Sequence, residues 1–327
     1  MKVLIADKFE ASGIEALRAG GHDVVSQPDL GPDTLPAALA EHRPDVLVVR
    51  STKVPAAVIE AQDSLKGIIR AGAGHDNIDS AAASARGVAV CNCPGMNAVA
   101  VAELAMGHLI NCDRRLPAQD AELRRGHWHK KEFAKARGLK GRTLGLVGMG
   151  AIGREVAARA NAFGMDVVGW SRSLTPESAS ALGIRCGGSS RDELAAMLGE
   201  CDAVSLHVAA TPETKGMCDA GFFAAMKDGA YFVNTARGTL VDEAALVDAI
   251  EGKGLRVATD VYQNQPATPD EAFETPMARA ATASLSHHCG ASTDQAQQAV
   301  ADETVRIIEA FAASGVFENV VNELQPA

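Results

Sequence analysis

The feature that most constrains this chain is a strand, a glycine turn and a helix in direct succession. Thr143-Leu-Gly-Leu-Val147 is an apolar run of strand length. Gly148-Met-Gly150-Ala-Ile-Gly153 follows it, and Arg154-Glu-Val-Ala-Ala-Arg159 continues as a helix former. The first glycine permits a tight turn, the second lets a pyrophosphate reach the backbone, and the third lets the helix lie close on the strand. The free N–H groups and positive dipole end of that helix suit phosphate. A glycine turn alone means little; the strand before it and the helix after it make it a dinucleotide-site signature.

The rest of the chain repeats the alternation. Short apolar runs at 3–6, 23–26, 46–49, 67–70 and 88–91 are separated by alanine-rich amphipathic segments such as 10–19 and 34–41. A second series of strands is expected at 143–147, 166–170, 203–207, 230–234, 254–259 and 281–286, and a closing helix over 294–313. Strand–helix alternation implies parallel sheets covered by helices on both faces, hence two doubly wound α/β domains. With 327 residues, 47% of them apolar, the chain is long enough for both cores. Between the series, residues 98–113 form a helix apolar almost all round, which must be buried or lie at an interface. A polar, Arg- and Lys-rich stretch with Trp128 inside His-Trp-His follows, suited to an arm packing on another surface.

The formal charge of −10 argues against nucleic acid or an anionic membrane as main partner. No apolar run approaches the roughly 20 residues of a membrane span. The opening Met-Lys-Val-Leu-Ile-Ala-Asp7 reads as a strand, not a signal peptide. Seven scattered cysteines, with Cys91 and Cys93 one residue apart, do not have zinc-site spacing; free buried thiols in a reducing cytosol are expected.

After the expected strand 166–170, where a carboxylate would hold the ribose 2′-hydroxyl of NAD, stand Ser171, Arg172 and Ser173. Hydroxyls and a guanidinium suit a 2′-phosphate, so NADP is expected to be accepted and favoured over NAD. Three later segments carry candidate chemistry. Val233-Asn-Thr-Ala-Arg237 places an arginine after a strand, able to grip a carboxylate and polarise the adjacent carbonyl. Asp260-Val-Tyr-Gln-Asn-Gln265-Pro266 is the second. Leu285-Ser-His287-His288-Cys-Gly290 offers a histidine for the proton that accompanies hydride transfer.

Taken with Val49-Arg-Ser-Thr-Lys53, Arg70-Ala-Gly-Ala-Gly-His-Asp-Asn-Ile-Asp79, Pro94-Gly-Met-Asn97, Val101-Ala-Glu103 and Leu139-Lys-Gly-Arg-Thr-Leu-Gly145, the chain resembles the D-isomer-specific 2-hydroxyacid dehydrogenases, the short D-3-phosphoglycerate dehydrogenases above all. The resemblance implies a discontinuous, flavodoxin-like substrate domain (1–97 and 290–327) with a Rossmann domain (98–289) inserted. It implies that Arg237 grips the substrate carboxylate and keto oxygen and that His288 is the general acid/base. Backbone N–H groups of Ala73 and Gly74 bind the carboxylate, and Arg50, Ser51 and Arg70 line its far end. Ala151 and Ile152 contact the pyrophosphate, Asp260 the nicotinamide amide, and Val208, Thr235 and Gly290 the cofactor. The helix and arm over 98–140 form a homodimer contact. A cytoplasmic enzyme is expected, without a C-terminal regulatory domain.

Two departures stand out. The family's glutamate partner of the histidine is here Gln265, read as orienting the ring by accepting its N–H without supplying charge, which shifts keto-acid reduction to lower pH. His287 stands where the family has proline; no metal is expected there, because neighbouring side chains after a strand diverge. His75 and His207 read as loop or packing residues. Hydroxypyruvate or glyoxylate reduction, a formate-type hydride donor, and a non-catalytic dinucleotide-sensing module remain alternatives.

Overall fold

The computed structural model describes residues 1–266, 271–280 and 282–324. The chain divides into two compact units, residues 1–97 with 292–327, and residues 98–291.

The first unit alternates β1 (Lys2–Ile5), α1 (Ala11–Ala19), β2 (Asp23–Ser26), α2 (Leu35–His42), β3 (Val46–Val49), α3 (Ala56–Glu60), β4 (Gly67–Arg70), α4 (Ser80–Ala85) and β5 (Ala89–Asn92). All pairings are parallel, in the order β2-β1-β3-β4-β5, the flavodoxin-like arrangement. Every residue of β3 and β5 is buried, as a parallel sheet covered on both faces requires.

The second unit begins with α5 (Ala98–Arg114), α6 (Leu116–Arg124) and α7 (Lys130–Phe133). Its βα series runs β6 (Thr143–Val147), α8 (Ala151–Ala162), β7 (Asp166–Trp170), α9 (Pro176–Ala181), β8 (Arg185–Cys186), α10 (Arg191–Glu200), β9 (Ala203–Leu206), α11 (Ala220–Ala225), β10 (Tyr231–Asn234), α12 (Glu243–Lys253), β11 (Arg256–Thr259) and β12 (Ser284–Leu285). The sheet order is β12-β11-β10-β9-β6-β7-β8, a doubly wound Rossmann order with one strand added. α13 (Asp294–Ser314) returns to the first unit, where Ile307 and Ile308 join the core beside Val3, Ile5 and Ile69.

Small residues set the layer spacing in the second unit. Ala102 and Ala105 of α5 and Ala157 and Ala160 of α8 are almost fully buried in one cluster with Leu144 and Leu146 of β6. Helix starts are marked in the sequence. Ser190 and Glu193 form a reciprocal capping box, and Asp219, Asp242 and Thr293 cap α11, α12 and α13.

Three local expectations change. β8 is an additional strand; the arm after α5 holds the two short helices α6 and α7. The expected strand 281–286 is observed as Ser284–Leu285; its first residue, 281, lies outside the described residues. The thiols are free, but Cys289 is exposed and Cys186 half-buried. Among the described residues no helix is long and apolar enough to cross a membrane.

Candidate active site

In an open parallel sheet the crevice outside the carboxyl ends of the strands collects ligands, at the point where strand order reverses. In the second unit that point lies between β6 and β9. Gly148 ends β6 with φ +103°, and a Cβ there would come within 2.6 Å of the backbone carbon and oxygen of His207, which follows β9. A Cβ on Gly153 would collide with the carbonyl of Gly148, so the third glycine sets the helix close to the turn. A Cβ on Gly150 would meet nothing within 4 Å: the second glycine faces open space at the N-cap of α8, where a pyrophosphate fits.

Two buried polar side chains on this rim lack partners among the described residues. Both ring nitrogens of His207 and Oγ1 of Thr235 are buried and have no hydrogen-bond partner among the described residues. They follow adjacent strands, β9 and β10. Buried polar atoms are ordinarily paired, so these three suit a bound polar ligand on the same rim. Burial pushes the His207 imidazole down to about 3. The residues present therefore fit a dinucleotide, and Ser171 and Ser173, 3.4 Å apart by their hydroxyls after β7, stand where its adenine ribose would reach.

Further along the rim, Arg237 follows β10. Asn234 shapes its loop, Oδ1 accepting from the Ala236 N–H at 3.0 Å and Nδ2 donating to the Arg237 carbonyl at 3.0 Å. The next residue, Gly238, lies so close to the Tyr262–Gln263 peptide that a Cβ would clash with it. This contact joins the arginine loop to the segment after β11. That segment carries Gln265, whose Nε2 donates to Nδ1 of His288 at 2.6 Å while its Oε1 accepts from the Tyr262 N–H at 3.2 Å. Arg237, Gln265 and His288 thus follow three neighbouring strands and belong to one connected set of loops.

In this arrangement the amide nitrogen, not the oxygen expected from the sequence, faces the imidazole. The roles follow the ring tautomer: with Nδ1 bare the amide donates to it, and with the proton on Nδ1 the amide turns over and its oxygen accepts, leaving Nε2 open.

His288 itself has φ +51°, and its N–H donates to the Asp260 carbonyl at 2.7 Å. The Asp260 carboxylate, almost wholly buried, accepts from Ser286 Oγ at 2.6 Å and from the Cys289 and Gly290 N–H groups, both at 2.9 Å. Its visible work is therefore to hold the loop that presents His288. Sequence reasoning missed the next layer: His108 of α5 bonds Ser284 and Ser286 at 2.9 Å each, and the Tyr262 hydroxyl donates to the Ser286 carbonyl at 2.8 Å. A histidine on an apolar helix gives no hint of such a role.

A family model described as "D-isomer specific 2-hydroxyacid dehydrogenase, NAD binding domain" matches residues 106–290. The chain belongs to the D-isomer-specific 2-hydroxyacid dehydrogenase family. A D-3-phosphoglycerate dehydrogenase of Mycobacterium tuberculosis is 40% identical over 322 residues, 98% of this chain and 58% of the relative. The chain spans little more than half the length of the curated relatives it matches. Among solved structures, a glyoxylate reductase from Paecilomyes thermophila has a TM-score of 0.86 at 29% identity, covering 98% of each chain. An NAD+-bound 3-phosphoglycerate dehydrogenase of Entamoeba histolytica has a TM-score of 0.82 at 25% identity, covering 99% of each.

The first unit of this 2-hydroxyacid dehydrogenase family member gathers the remaining candidates at the carboxyl ends of its strands. Asp7, after β1, accepts the N–H groups of Arg50, Ser51 and Thr52 on one oxygen, at 2.6, 3.2 and 3.2 Å. Arg50 reaches Gln297 at 3.1 Å, and Nε of Arg70 donates to the Arg50 carbonyl at 3.0 Å. A Cβ on Gly72, at φ +147°, would strike the Arg70 guanidinium. Asn92 holds the Ala73 carbonyl at 2.6 Å, beside Gly74. Two guanidinium groups and a glycine-rich loop thus share one strand-end cluster.

Proposed function

We propose that this chain is an NAD(P)-dependent dehydrogenase of small D-2-hydroxy acids, with 3-phosphoglycerate and 3-phosphohydroxypyruvate the leading pair. The carrying observation is the connected set Arg237, Gln265 and His288 on the same sheet edge as the Gly148 turn. The dinucleotide, when bound, supplies a hydride to C2 of the oxo acid or takes one from the hydroxy acid. Arg237 grips the carboxylate and polarises the C2 oxygen. His288 exchanges the hydroxyl proton through Nε2, which is open to it when Gln265 turns over and its oxygen accepts the Nδ1–H. Gly150, Ala151, Ile152 and Gly153 take the pyrophosphate, Val208, Thr235, Asp260 and Gly290 line the nicotinamide end, and Arg50, Ser51, Arg70, Ala73 and Gly74 are the anion-holding set of the first unit. Ser171 and Arg172 favour NADP. The names of the mycobacterial and Entamoeba relatives support phosphoglycerate; that of the Paecilomyes structure supports glyoxylate.

Steady-state assays with a panel of 2-oxo acids against NADH and NADPH decide the matter. Phosphohydroxypyruvate reduction with the highest kcat/KM is the expected result. Tight cofactor binding without turnover of any acid would replace the enzyme with a dinucleotide sensor.

One observation favours a second reading. A histidine whose Nδ1 accepts a bond from an amide N–H is poorly arranged to become imidazolium, and a substrate that gives up hydride without a proton needs no imidazolium. Formate-dependent reduction of NAD(P) tests it. A cytoplasmic homodimer through residues 98–140 completes the proposal; the exposure of Val99, Leu116, Leu123 and Trp128 supports such a contact.

A further inference from the structure

The stretch after α5 carries a cluster that the dehydrogenase chemistry does not use. Glu122 sits in the last turn of α6. The chain leaves that helix through Gly126, at φ +80°, and the His127 N–H returns to the Glu122 carbonyl at 3.0 Å. Trp128 is 76% exposed in the single chain, within the stretch proposed above as the homodimer contact. The rings of His127 and His129 lie on one side, parallel within 9° and 5.5 Å apart. Both present Nδ1 to the same oxygen, Oε2 of Glu122, at 2.9 and 3.6 Å. The other oxygen takes the Arg125 guanidinium at 3.0 Å.

The geometry points to a binding site for a divalent transition-metal ion, held by Glu122, His127 and His129. One donor atom from each of the three lies within 4.8 Å of the other two, and no other such trio exists among the described residues. A tetrahedral ion with bonds of about 2.1 Å holds its ligands about 3.4 Å apart, and the two nitrogen–oxygen separations bracket that value. A surface ion pair would account for His127 and Arg125 on the carboxylate, at little gain in stability. It takes in His129 only as a loose ion pair, since 3.6 Å is too long for a hydrogen bond.

Two imidazoles and one carboxylate suit Zn2+, Co2+, Ni2+ or Cu2+ over Mg2+ and Ca2+, which seek oxygen. Three protein ligands leave a position open for water or an external carboxylate. The three side chains line a cavity of about 230 Å3 together with Leu123, Trp128 and Phe133. The segment is held beyond its ligands: Arg115 reaches the Glu132 carbonyl at 2.8 Å and carboxylate at 2.9 Å, and lies 4.7 Å over the Phe133 ring. A bound ion would close the chain between residues 122 and 129. Neither the cysteine spacing nor His287–His288 points to this site, and His-Trp-His in sequence gives only an arm.

The inference stands apart from the dehydrogenase reading and is tested without turnover. Full-length protein of determined oligomeric state is stripped with chelator and titrated with Zn2+ by calorimetry, then loaded with Cu2+ for electron paramagnetic resonance. One equivalent per chain is expected, with hyperfine coupling to two imidazole nitrogens and a higher Tm with metal. His127→Ala, His129→Ala and Glu122→Gln should each weaken binding at least tenfold, and the double His127→Ala/His129→Ala variant should lose it together with the Tm gain. All these side chains are partly or largely exposed, so the variants keep the fold. Equal affinity and stoichiometry in wild type and double variant, no binding by the wild type, or a copper spectrum without two imidazole nitrogens would overturn the site.

Discussion

The side-chain amide of Gln265 donates from Nε2 to Nδ1 of His288 across 2.6 Å, while its oxygen is held by the Tyr262 N–H. Imidazolium carries a proton on both nitrogens, and one of them would here face an N–H. Protonation therefore costs this contact, or the amide must turn and leave Tyr262.

Replacing Gln265 by glutamate removes that conflict and adds a negative charge. In the Gln265→Glu variant the alkaline limb of keto-acid reduction, read from kcat/KM against pH, moves upward by about one unit or more. An unchanged profile separates Gln265 from the proton-transfer step.

Arg237 is assigned the acid and its C2 oxygen. Arg237→Lys keeps the charge but not the fork, and is expected to lower kcat/KM by about 100-fold or more while dinucleotide affinity is retained. Equal loss of cofactor affinity, measured by fluorescence titration, would place the arginine elsewhere.

The glycine turn makes a paired forecast. Gly148→Ala must fit a Cβ 2.6 Å from the His207 carbonyl at φ +103°, costing about 2–4 kcal/mol of stability. Gly150→Ala meets no protein atom, so it keeps its Tm yet weakens dinucleotide binding about tenfold or more. Urea unfolding and cofactor titration on both variants check the contrast.

Cofactor choice is tested after β7. Ser171→Asp places a carboxylate against a 2′-phosphate and should lower the NADPH/NADH ratio of kcat/KM at least tenfold. A wild type that already strongly prefers NADH removes the basis for the NADP assignment.

His207 links the site to stability. Its imidazole, near 6.5 in an unfolded chain, is held at about 3 by burial, so the unfolded chain binds the extra proton between these values. Stability therefore falls as pH drops below about 6.5. Between pH 7 and 4.5 the wild type should lose about 2 kcal/mol more than His207→Asn, by denaturant unfolding at both pH values. Equal losses would show that the ring is solvated in the native state.

Much of this architecture is legible in the residues because parallel strands buried on both faces are short apolar runs and their helices are capped. Asp219, Asp242, Ser190 and Thr293 stand at the helix starts they cap. β8 was not legible: Arg185–Cys186 is too short to show a period. Gly148, Arg237 and His288 could be named because each follows an apolar strand. The partners of Gln265 could not, since an amide donates or accepts according to its neighbour, and Tyr262 decides that only in three dimensions. For the same reason His207 reads as a packing residue, though its ring nitrogens are buried without partners among the described residues.

The central claim is hydride transfer at C2 under Arg237 and His288. It is tested most directly by following deuterium from C4-deuterated NADH and NADPH into the 2-hydroxy acids formed from 2-oxo acids, by mass spectrometry. The account predicts a D-2-hydroxy acid labelled at C2, formed about 100-fold more slowly or worse by Arg237→Ala and His288→Ala. No labelled 2-hydroxy acid from any 2-oxo acid, or transfer undiminished in both variants, would contradict it.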